Sequence, residues 1–382
     1  MDLLNFDWMD IWTNGAAFVF ILTVIVFFHE FGHYFVARRC GVRVEVFSIG
    51  FGRELFGWTD GAGTRLKFSL LPLGGYVRMF GEAAMPGAEG EDARELTAEE
   101  RAVSFQEKSL GKRAAIVSAG PLANFVLAIV VWAVLFATVG QRVIPPNVGT
   151  VQAGSAAEEA GIKPGDVIVS IGDKEIERFS DLQQIISISP GVPLRVGLRR
   201  DGRRLTLTVT PKLKEITDIL GNRHEVGLIG VSPAGTAIVR HGPATAVLRA
   251  VQETYHFATV IFKVLGEIIS GTRSPKELAG PIGIFQMSEQ MALSGLPAVF
   301  WFIAVLSVNL GLINLFPIPV LDGGHLMFYA IEAVRGKPPS EKFVEYGFRV
   351  GLGLVLTLFV FVTYQDIKRF QGVVEFFQGL FS

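Results

Sequence analysis

Residues 16–37 read AAFVFILTVIVFFHEFGHYFVA, an apolar run that contains the motif His29-Glu30-Phe31-Gly32-His33. A bilayer core about 30 Å thick needs roughly 20 apolar residues in a helix, so this run is long enough to cross a membrane. The preceding residues, MDLLNFDWMD, are acidic and no A-x-A cleavage site follows. The run is therefore predicted to be a retained span, and not a signal peptide that is removed.

Three more apolar stretches have the length or composition of a span, at residues 114–139, 297–320 and 350–363, the last being the shortest. The letters AVILMFWYC make up 50% of the chain and only 19% is charged, which argues against a fully soluble protein. The sequence predicts a multi-span α-helical membrane protein with about four transmembrane helices.

Charge and cysteine content exclude two classes of site. Lys+Arg 35 against Asp+Glu 36 gives a net charge of -1, so no basic field is available to bind nucleic acid. With 1 cysteine, Cys40, the chain has neither a disulfide framework nor a Cys-rich structural zinc site.

The distribution of Lys and Arg predicts the orientation of the spans. The tail before the first span has no Lys or Arg and is expected outside, whereas the basic connection 38–113 is expected in the cytoplasm. The basic loop before the fourth span agrees, and Lys368 and Arg369 disagree mildly. Long loops cross regardless of charge, so residues 140–296 are expected to be external.

The external segment contains a small α+β domain. This segment resembles a bacterial, circularly permuted PDZ module. The resemblance rests on GSAAEEAG at 154–161, PGD at 164–166 and an Arg-Asp-Gly-Arg hairpin signal at 200–203. A generic α+β domain is the alternative. Residues 243–270 look amphipathic and are expected along the membrane surface, or else as a core helix of the external domain.

The expected division of the chain follows these features. It comprises two spans with HEFGH and a β-loop at 1–139, the PDZ region at 140–232, an interfacial helical segment at 233–296, and two further spans at 297–382.

The His-Glu-x-x-His pattern predicts a zinc site inside the first span. On a helix, His29 and His33 share one face, so both imidazoles can bind one zinc ion. Glu30 lies beside them and can take a proton from the attacking water. A hydrogen-bonded polar cluster or a proton relay is the alternative interpretation.

A catalytic zinc usually has three protein ligands, and the next residues along the chain offer no suitable third one. The best candidate is Asp322, in the segment NLFPIPVLDGGH at 314–325, where two prolines and two glycines break the helix. His325 and Glu332 are the runner-up ligands. Without a metal, Asp322 would serve as a helix N-cap.

A β-loop is predicted between the first two spans. Residues 64–71 and 76–80 are strand-like, with a turn predicted at 72–75, and their apolar side chains favour a structure that dips toward the membrane. Peptide hydrolysis at the predicted zinc site would require a membrane helix to unwind, and an exposed strand edge can pair with the extended segment. The residues expected to pair with substrate are Leu70, Leu71, Gly74, Gly75 and Tyr76. A surface hairpin without substrate contact is the alternative.

The chain resembles the site-two protease family of intramembrane zinc metalloproteases, in the regulator-of-sigma-E branch. The resemblance rests on the combination of HEFGH, GPLANF at 120–125, the PDZ-like module, ELAGPIGI at 277–284 and NLFPIPVLDGGH. The resemblance covers nearly the whole chain. One departure is clear, since enterobacterial members carry two PDZ modules and this chain has room for one.

The resemblance implies a Zn²⁺ cofactor, with His29, His33 and Asp322 as ligands and Glu30 as the catalytic acid and base. It implies that Asn314 holds the substrate backbone or the oxyanion, and Asn124 is a similar candidate. Either asparagine could equally be an interhelical contact.

The resemblance also implies the partners and the location. The expected substrates are single-span membrane proteins already trimmed outside, such as anti-sigma factors, together with signal-peptide remnants, and the PDZ module would filter by size or bind peptide C-termini. The expected location is the bacterial inner membrane, with both termini and the PDZ module periplasmic and the active site toward the cytoplasm. A non-catalytic PDZ scaffold with a structural metal, or a metal or proton transporter, are the alternatives.

Overall fold

A computed structural model describes residues 8–82, 96–217, 223–275 and 278–369. The chain forms two compact units. The first lies within Met1–Leu135, Ala246–Phe262 and Pro275–Ser382, and the second within Phe136–Thr245 and Lys263–Ser274.

In the described residues the helices are α1 (Trp8–Arg39), α2 (Ala98–Val103), α3 (Leu110–Thr138), α4 (Ala156–Glu159), α5 (Phe179–Ser187), α6 (Pro243–Ile269), α7 (Pro281–Leu293), α8 (Leu296–Asn314), α9 (Asp322–Arg335) and α10 (Glu341–Arg369). The strands are β1 (Val44–Thr59), β2 (Arg65–Met79), β3 (Gln141–Val143), β4 (Val148–Val151), β5 (Val167–Ile171), β6 (Lys174–Glu175), β7 (Leu194–Arg200), β8 (Arg203–Val209), β9 (Lys212–Thr217), β10 (Arg223–Leu228), β11 (Val231–Pro233) and β12 (Ala237–Val239).

Four helices of the described residues are long and apolar enough to cross a membrane, within α1, α3, α8 and α10. Their positions follow the four predicted stretches. The third helix ends at Asn314 instead of continuing to residue 320, because the two prolines that follow cannot continue it. The fourth is longer than its apolar centre, since polar first and last turns extend it to Glu341–Arg369.

Apolar residues of three of these helices share one core. Ile21 and Ile25 of α1 pack with Leu127 of α3 and with Phe302 and Ile303 of α8, and all five are buried. This packing buries one face of α1 in the turns before the HEFGH motif. His29 and His33 of the motif are themselves buried, whereas Phe31 between them is 39% exposed.

The predicted β-loop is present, and the chain reverses direction at the predicted turn, residues 72–75. The strand β2 spans Arg65–Met79, and its two halves pair with the same segment of β1 in opposite directions. Phe47 of β1, for example, faces Val77 and Leu66. The two halves of β2 are therefore partners of β1 and not of each other.

A second turn, between the end of β1 and the start of β2, lies at residues 60–64. There the carboxylate of Asp60 accepts hydrogen bonds from the backbone N–H groups of Ala62 and Thr64, both at 2.9 Å. Such local hydrogen bonds make Asp a strong turn residue. The proline and glycines of residues 72–75 mark a bend within β2, where the pairing with β1 is interrupted between Leu71 and Gly75.

The second unit has a four-stranded antiparallel sheet in the order β6-β5-β7-β8. The predicted hairpin connects β7 to β8, with Asp201 and Gly202 both at positive φ, as the favoured two-residue hairpin turns require. Its core is formed by residues of the sheet, of α4 and of α5, including Ile168, Leu182 and Leu198. β12 pairs with β3, so the unit continues past residue 232.

A buried ion pair supports this unit. The Asp166 carboxylate, 1% exposed, accepts two hydrogen bonds from the Arg200 guanidinium at 2.7 Å and one from the backbone N–H of Lys163 at 2.8 Å. Burial alone would raise the pKa of this carboxyl. Arg200 and the Lys163 N–H outweigh burial and hold the pKa below its usual range.

Asp166→Asn is therefore expected to loosen the second unit at neutral pH, because it leaves Arg200 without its anion. A carboxyl whose pKa is lowered by folding adds stability above its unfolded pKa, near 3.9, and loses it as pH falls through the folded value. Hydrogen–deuterium exchange of residues 148–171 in the full chain measures the effect. The variant should exchange faster than wild type at pH 7, and the difference should shrink below about pH 4.

Asp173→Asn, at an exposed position of the same unit, is the matched control and should exchange like wild type. Equal exchange of Asp166→Asn and Asp173→Asn at pH 7 would contradict this role of Asp166.

Candidate metal centre

Two imidazoles and one carboxylate converge inside the first unit. His29 and His33 lie one turn apart on α1, and Asp322 is the first residue of α9. Asp322 Oδ2 is 3.2 Å from His29 Nε2 and 3.5 Å from His33 Nε2, and the two Nε2 atoms are 3.3 Å apart. The three side chains are at most about one-fifth exposed. This cluster joins residues almost 300 positions apart in the sequence.

The far nitrogen of His33 is held by α3. His33 Nδ1 lies 2.9 Å from the backbone carbonyl oxygen of Ile116. A carbonyl oxygen only accepts hydrogen bonds, so Nδ1 carries the proton and donates it. In the neutral imidazole, Nε2 then presents a lone pair toward Asp322.

The far nitrogen of His29 is also held by α3. The side-chain amide of Asn124, which is fully buried, lies 3.2 Å from His29 Nδ1. The oxygen and nitrogen of an amide are assigned from its hydrogen bonds. Turning Asn124 Oδ1 toward His29 gives this oxygen, otherwise without a partner, a donor. His29 then also presents an Nε2 lone pair to the cluster.

The donor set fits a zinc ion. Asp322 Oδ2 is buried and accepts no hydrogen bond in this structure, although two imidazoles face it. Two nitrogen lone pairs and one carboxylate oxygen lie within 4.8 Å of one another. Three acceptors that face one another need a cation between them, and two histidines with a carboxylate are a common zinc-binding set.

Two glycines allow α3 to approach α1 at the site. A Cβ at Gly120 would collide with the ring of His33, and a Cβ at Gly32 would collide with the backbone of Ala119. Small residues at helix crossings let backbones come close in membrane proteins. Here the close approach brings the Ile116 carbonyl within reach of His33.

A compact loop brings Asp322 to the cluster. A Cβ at Gly323 would collide with the carbonyl oxygens of Leu315 and Phe316, so the loop folds directly over the start of α9. Val320 has φ 103°, a conformation that β-branched residues rarely adopt. Strain of this kind persists only where the surroundings impose it.

Two other predicted site residues, Glu30 and Asn314, lie beside the cluster. Glu30 follows His29 on α1, and a Cβ at Gly75 would lie 2.9 Å from Glu30 Cγ. Asn314, the last residue of α8, places its Nδ2 3.5 Å from His29 Nε2. β2 therefore passes directly beside Glu30.

The remaining residues predicted to pair with substrate belong to β2. Leu70 and Leu71 are 56% and 54% exposed, and the ring of Tyr76 stacks on that of Phe51 with the ring centroids 6.2 Å apart. A Cβ at Gly74 would collide with the same Phe51 ring.

The two runner-up ligands are not in the cluster. His325 packs edge-to-face on Phe348 with ring centroids 5.4 Å apart, and Glu332 forms an ion pair with Arg113. Sequence reasoning missed the Ile116 carbonyl entirely, because a backbone acceptor leaves no signal in the choice of residue.

The structure combines helices that can cross a membrane with a buried cluster of two histidines and one aspartate, and a glutamate lies beside this cluster. This combination defines a membrane metallopeptidase. The chain belongs to Peptidase family M50, whose pattern matches residues 17–358.

Curated relatives agree with this family. The chain is 45% identical over 362 residues to a protein of Agrobacterium fabrum named as a zinc metalloprotease, covering 94% of this chain and 96% of the relative. It is 38% identical over 391 residues to metalloprotease MmpA of Caulobacter vibrioides, covering 96% and 98%. It is 32% identical over 457 residues to regulator of sigma-E protease RseP of Salmonella typhimurium, covering 93% and 98%. The protein is a zinc-dependent metalloprotease of the membrane.

Gly120→Ala is expected to weaken zinc binding at least about tenfold, the lower range for loss of a contact that orients a metal ligand. The added methyl group would displace the His33 ring and break its hydrogen bond to Ile116. Competition with a chelator of known affinity measures the change.

Gly111→Ala on the same helix is the matched control, since nothing lies within 4 Å of its Cβ position. If both variants bound zinc like wild type, the close approach of α3 to His33 would not matter for the metal.

Proposed function

We propose that this protein is an intramembrane zinc metalloprotease that cuts transmembrane segments of single-span membrane proteins. The observation that carries the proposal is the cluster of His29, His33 and Asp322, which is buried and contains two residues of a helix able to cross a membrane. Ionisable side chains at such depth are costly unless they bind a partner. A bound metal ion would be that partner, and it would explain why these side chains lie in a helix able to cross a membrane.

We assign His29 Nε2, His33 Nε2 and Asp322 Oδ2 as the zinc ligands. The assignment rests on their convergence and on the hydrogen bonds that leave both Nε2 lone pairs free. Zinc bound there supplies a Lewis acid that polarises a peptide carbonyl and lowers the pKa of water.

Glu30 acts as the general base and then as the general acid. It adjoins both histidines along α1, and its side chain borders β2 at Gly75. It would accept the proton of the attacking water and later deliver a proton to the leaving amine. Neither step requires Glu30 to be a metal ligand, so loss of Glu30 and loss of zinc are separable.

The two asparagines have different roles in this proposal. Asn314 borders the cluster, at 3.5 Å from His29 Nε2, and can donate to the charge that develops on the substrate carbonyl. Asn124 is fully buried behind His29 and contacts its Nδ1, which suits a residue that orients the imidazole. We therefore favour substrate contact for Asn314 over Asn124.

The segment of β2 that contains Leu70, Leu71, Gly74, Gly75 and Tyr76 holds the substrate in an extended form. A helix in lipid satisfies its own backbone, so it must unwind before hydrolysis, and a strand can supply the lost hydrogen bonds. Gly75 lies beside Glu30, which would bring a paired segment to the base. Crosslinking of a bound substrate from position 71 tests this pairing.

The second unit serves as a PDZ domain that limits access or binds new C-termini. The alignment with RseP is longer than this chain of 382 residues, so parts of RseP have no counterpart here, as expected for one PDZ domain in place of two. The name of RseP refers to sigma-E regulation. We infer similar substrates, namely single-span anti-sigma factors that were trimmed beforehand, and remnants of signal peptides.

The proposed location is the bacterial inner membrane. The Lys and Arg distribution before the fourth span favours both termini and the second unit in the periplasm and the active site toward the cytoplasm. α6 has a buried face at Ala246, Ala250 and Thr254 and apolar residues exposed elsewhere, which suits a helix at the membrane surface.

Glu30→Gln is expected to retain zinc and to lower the cleavage rate at least about 100-fold, because general acid–base catalysis contributes 10²–10⁴-fold. The measurement is cleavage of a tagged single-span substrate by detergent-purified protein, with zinc content determined in parallel. Asp322→Asn should instead lose zinc and activity together.

A Glu30→Gln variant that cleaves like wild type would exclude Glu30 as the base. If wild type held zinc and cleaved no single-span substrate, the alternative of a PDZ scaffold with a structural metal would be favoured. If Asp322→Asn kept its zinc, the ligand assignment would be wrong.

Replacing residues 144–236 with a short Gly/Ser linker is expected to relax the need for prior trimming. Val143 and Ala237 are paired residues of β3 and β12, so a hairpin-length linker can join them. Cleavage of full-length and pre-trimmed substrate is compared in wild type and variant. An unchanged ratio, with the trimmed substrate still cut, would contradict the filter role.

A further inference from the structure

A second pair of charges lies in the first unit, apart from the zinc cluster. Arg113 Nη2 donates to Glu332 Oε1 at 2.6 Å, and both side chains are only 17% exposed. The guanidinium also lies over the ring of Tyr329, with its carbon 5.0 Å from the ring centroid. Arg113 therefore contacts two residues, three positions apart, on one face of α9.

This pair connects the two helices that complete the metal site. Arg113 is on α3, three residues before Ile116, whose carbonyl orients His33. Glu332 is on α9, whose first residue is Asp322. One helix thus orients the histidines and the other supplies the carboxylate.

The chain before Asp322 gives α9 no continuous helical connection to α8. α9 follows a segment with two prolines and a strained Val320, and this segment does not continue α8. Contacts at two successive turns of a helix determine both its rotation and its position along its axis. Arg113 makes contacts of this kind with Tyr329 and Glu332.

We propose that Arg113 and Glu332 are positioning residues that hold Asp322 at the distance from His29 and His33 that zinc binding needs. The inference rests on the proposed ligand set. Arg113 Nε is buried and has no hydrogen-bond acceptor among the described residues, whereas Arg113 Nη2 donates to Glu332. Loss of Glu332 would leave a buried, unpaired guanidinium, which displaces its surroundings to reach water.

The test is the rate of zinc release to a chelator from the full-length protein in detergent. Glu332→Gln and Arg113→Gln are each expected to release zinc at least about tenfold faster than wild type, as for loss of groups that orient metal ligands. The double variant should release zinc no faster than the worse single variant, because both changes remove the same interaction.

Glu345→Gln is the matched control. Glu345 pairs with Arg349 at 2.5 Å within α10, and both side chains are more exposed than those of Arg113 and Glu332. Its zinc release should equal that of wild type. Arg113→Lys provides a second variant if the glutamine variants do not fold. It keeps the charge but loses the planar group over Tyr329, and it should release zinc at an intermediate rate.

Unchanged zinc release in the folded single variants, even with lower thermal stability, would overturn the inference, since a purely structural pair would behave in that way. Independent, multiplying effects in the double variant would also overturn it. If Asp322→Asn released zinc and Glu332→Gln did not, only this inference would fail. If Asp322→Asn retained zinc, the ligand set itself would fail.

Discussion

The structure depends on one electrostatic constraint, the convergence of three acceptor atoms in a place with little water. Two imidazole lone pairs and one carboxylate oxygen repel one another unless a cation lies between them. The site therefore needs both a cation and a framework that holds the three side chains together. α1, α3 and α9 provide that framework, since α1 and α9 carry the three clustered side chains and α3 contacts the far nitrogens of both imidazoles.

The framework relies on small residues because the backbones must come close. His33 reaches a backbone carbonyl of α3 only because Gly120 leaves room for its ring. Asp322 reaches the cluster only because Gly323 lets the preceding loop fold over the start of α9. Gly120 and Gly323 thus have a steric function, whereas His33 and Asp322, which they leave room for, supply the polar atoms of the cluster. A larger side chain at Gly120 or Gly323 would displace His33 or Asp322 from the cluster although neither residue is itself replaced.

The proposed hydrolysis of a transmembrane segment would add a second requirement, an extended substrate beside Glu30. The β1–β2 sheet meets α1 at Gly75, next to Glu30, and carries exposed apolar residues along β2. Such a sheet is stable in an apolar surrounding and can accept another strand. Most of the second unit lies in the chain between the end of α3 and the start of α6, and its first and last strands, β3 and β12, pair with each other.

The sequence by itself determined the features that depend on neighbouring residues. Apolar length defined four spans, the spacing of His29 and His33 placed them on one helical face, and the prolines before Asp322 indicated a break in the third span. The tertiary structure alone decided the rest. It showed that the two halves of β2, on either side of the turn at 72–75, both pair with β1, because the choice of strand partner depends on contacts between distant segments. It separated Asp322 from Glu332, which the sequence left as rival ligands, because only distance in space distinguishes two carboxylates on one helix. It also revealed the Ile116 carbonyl, since every residue has the same backbone and only the fold selects which one a histidine meets.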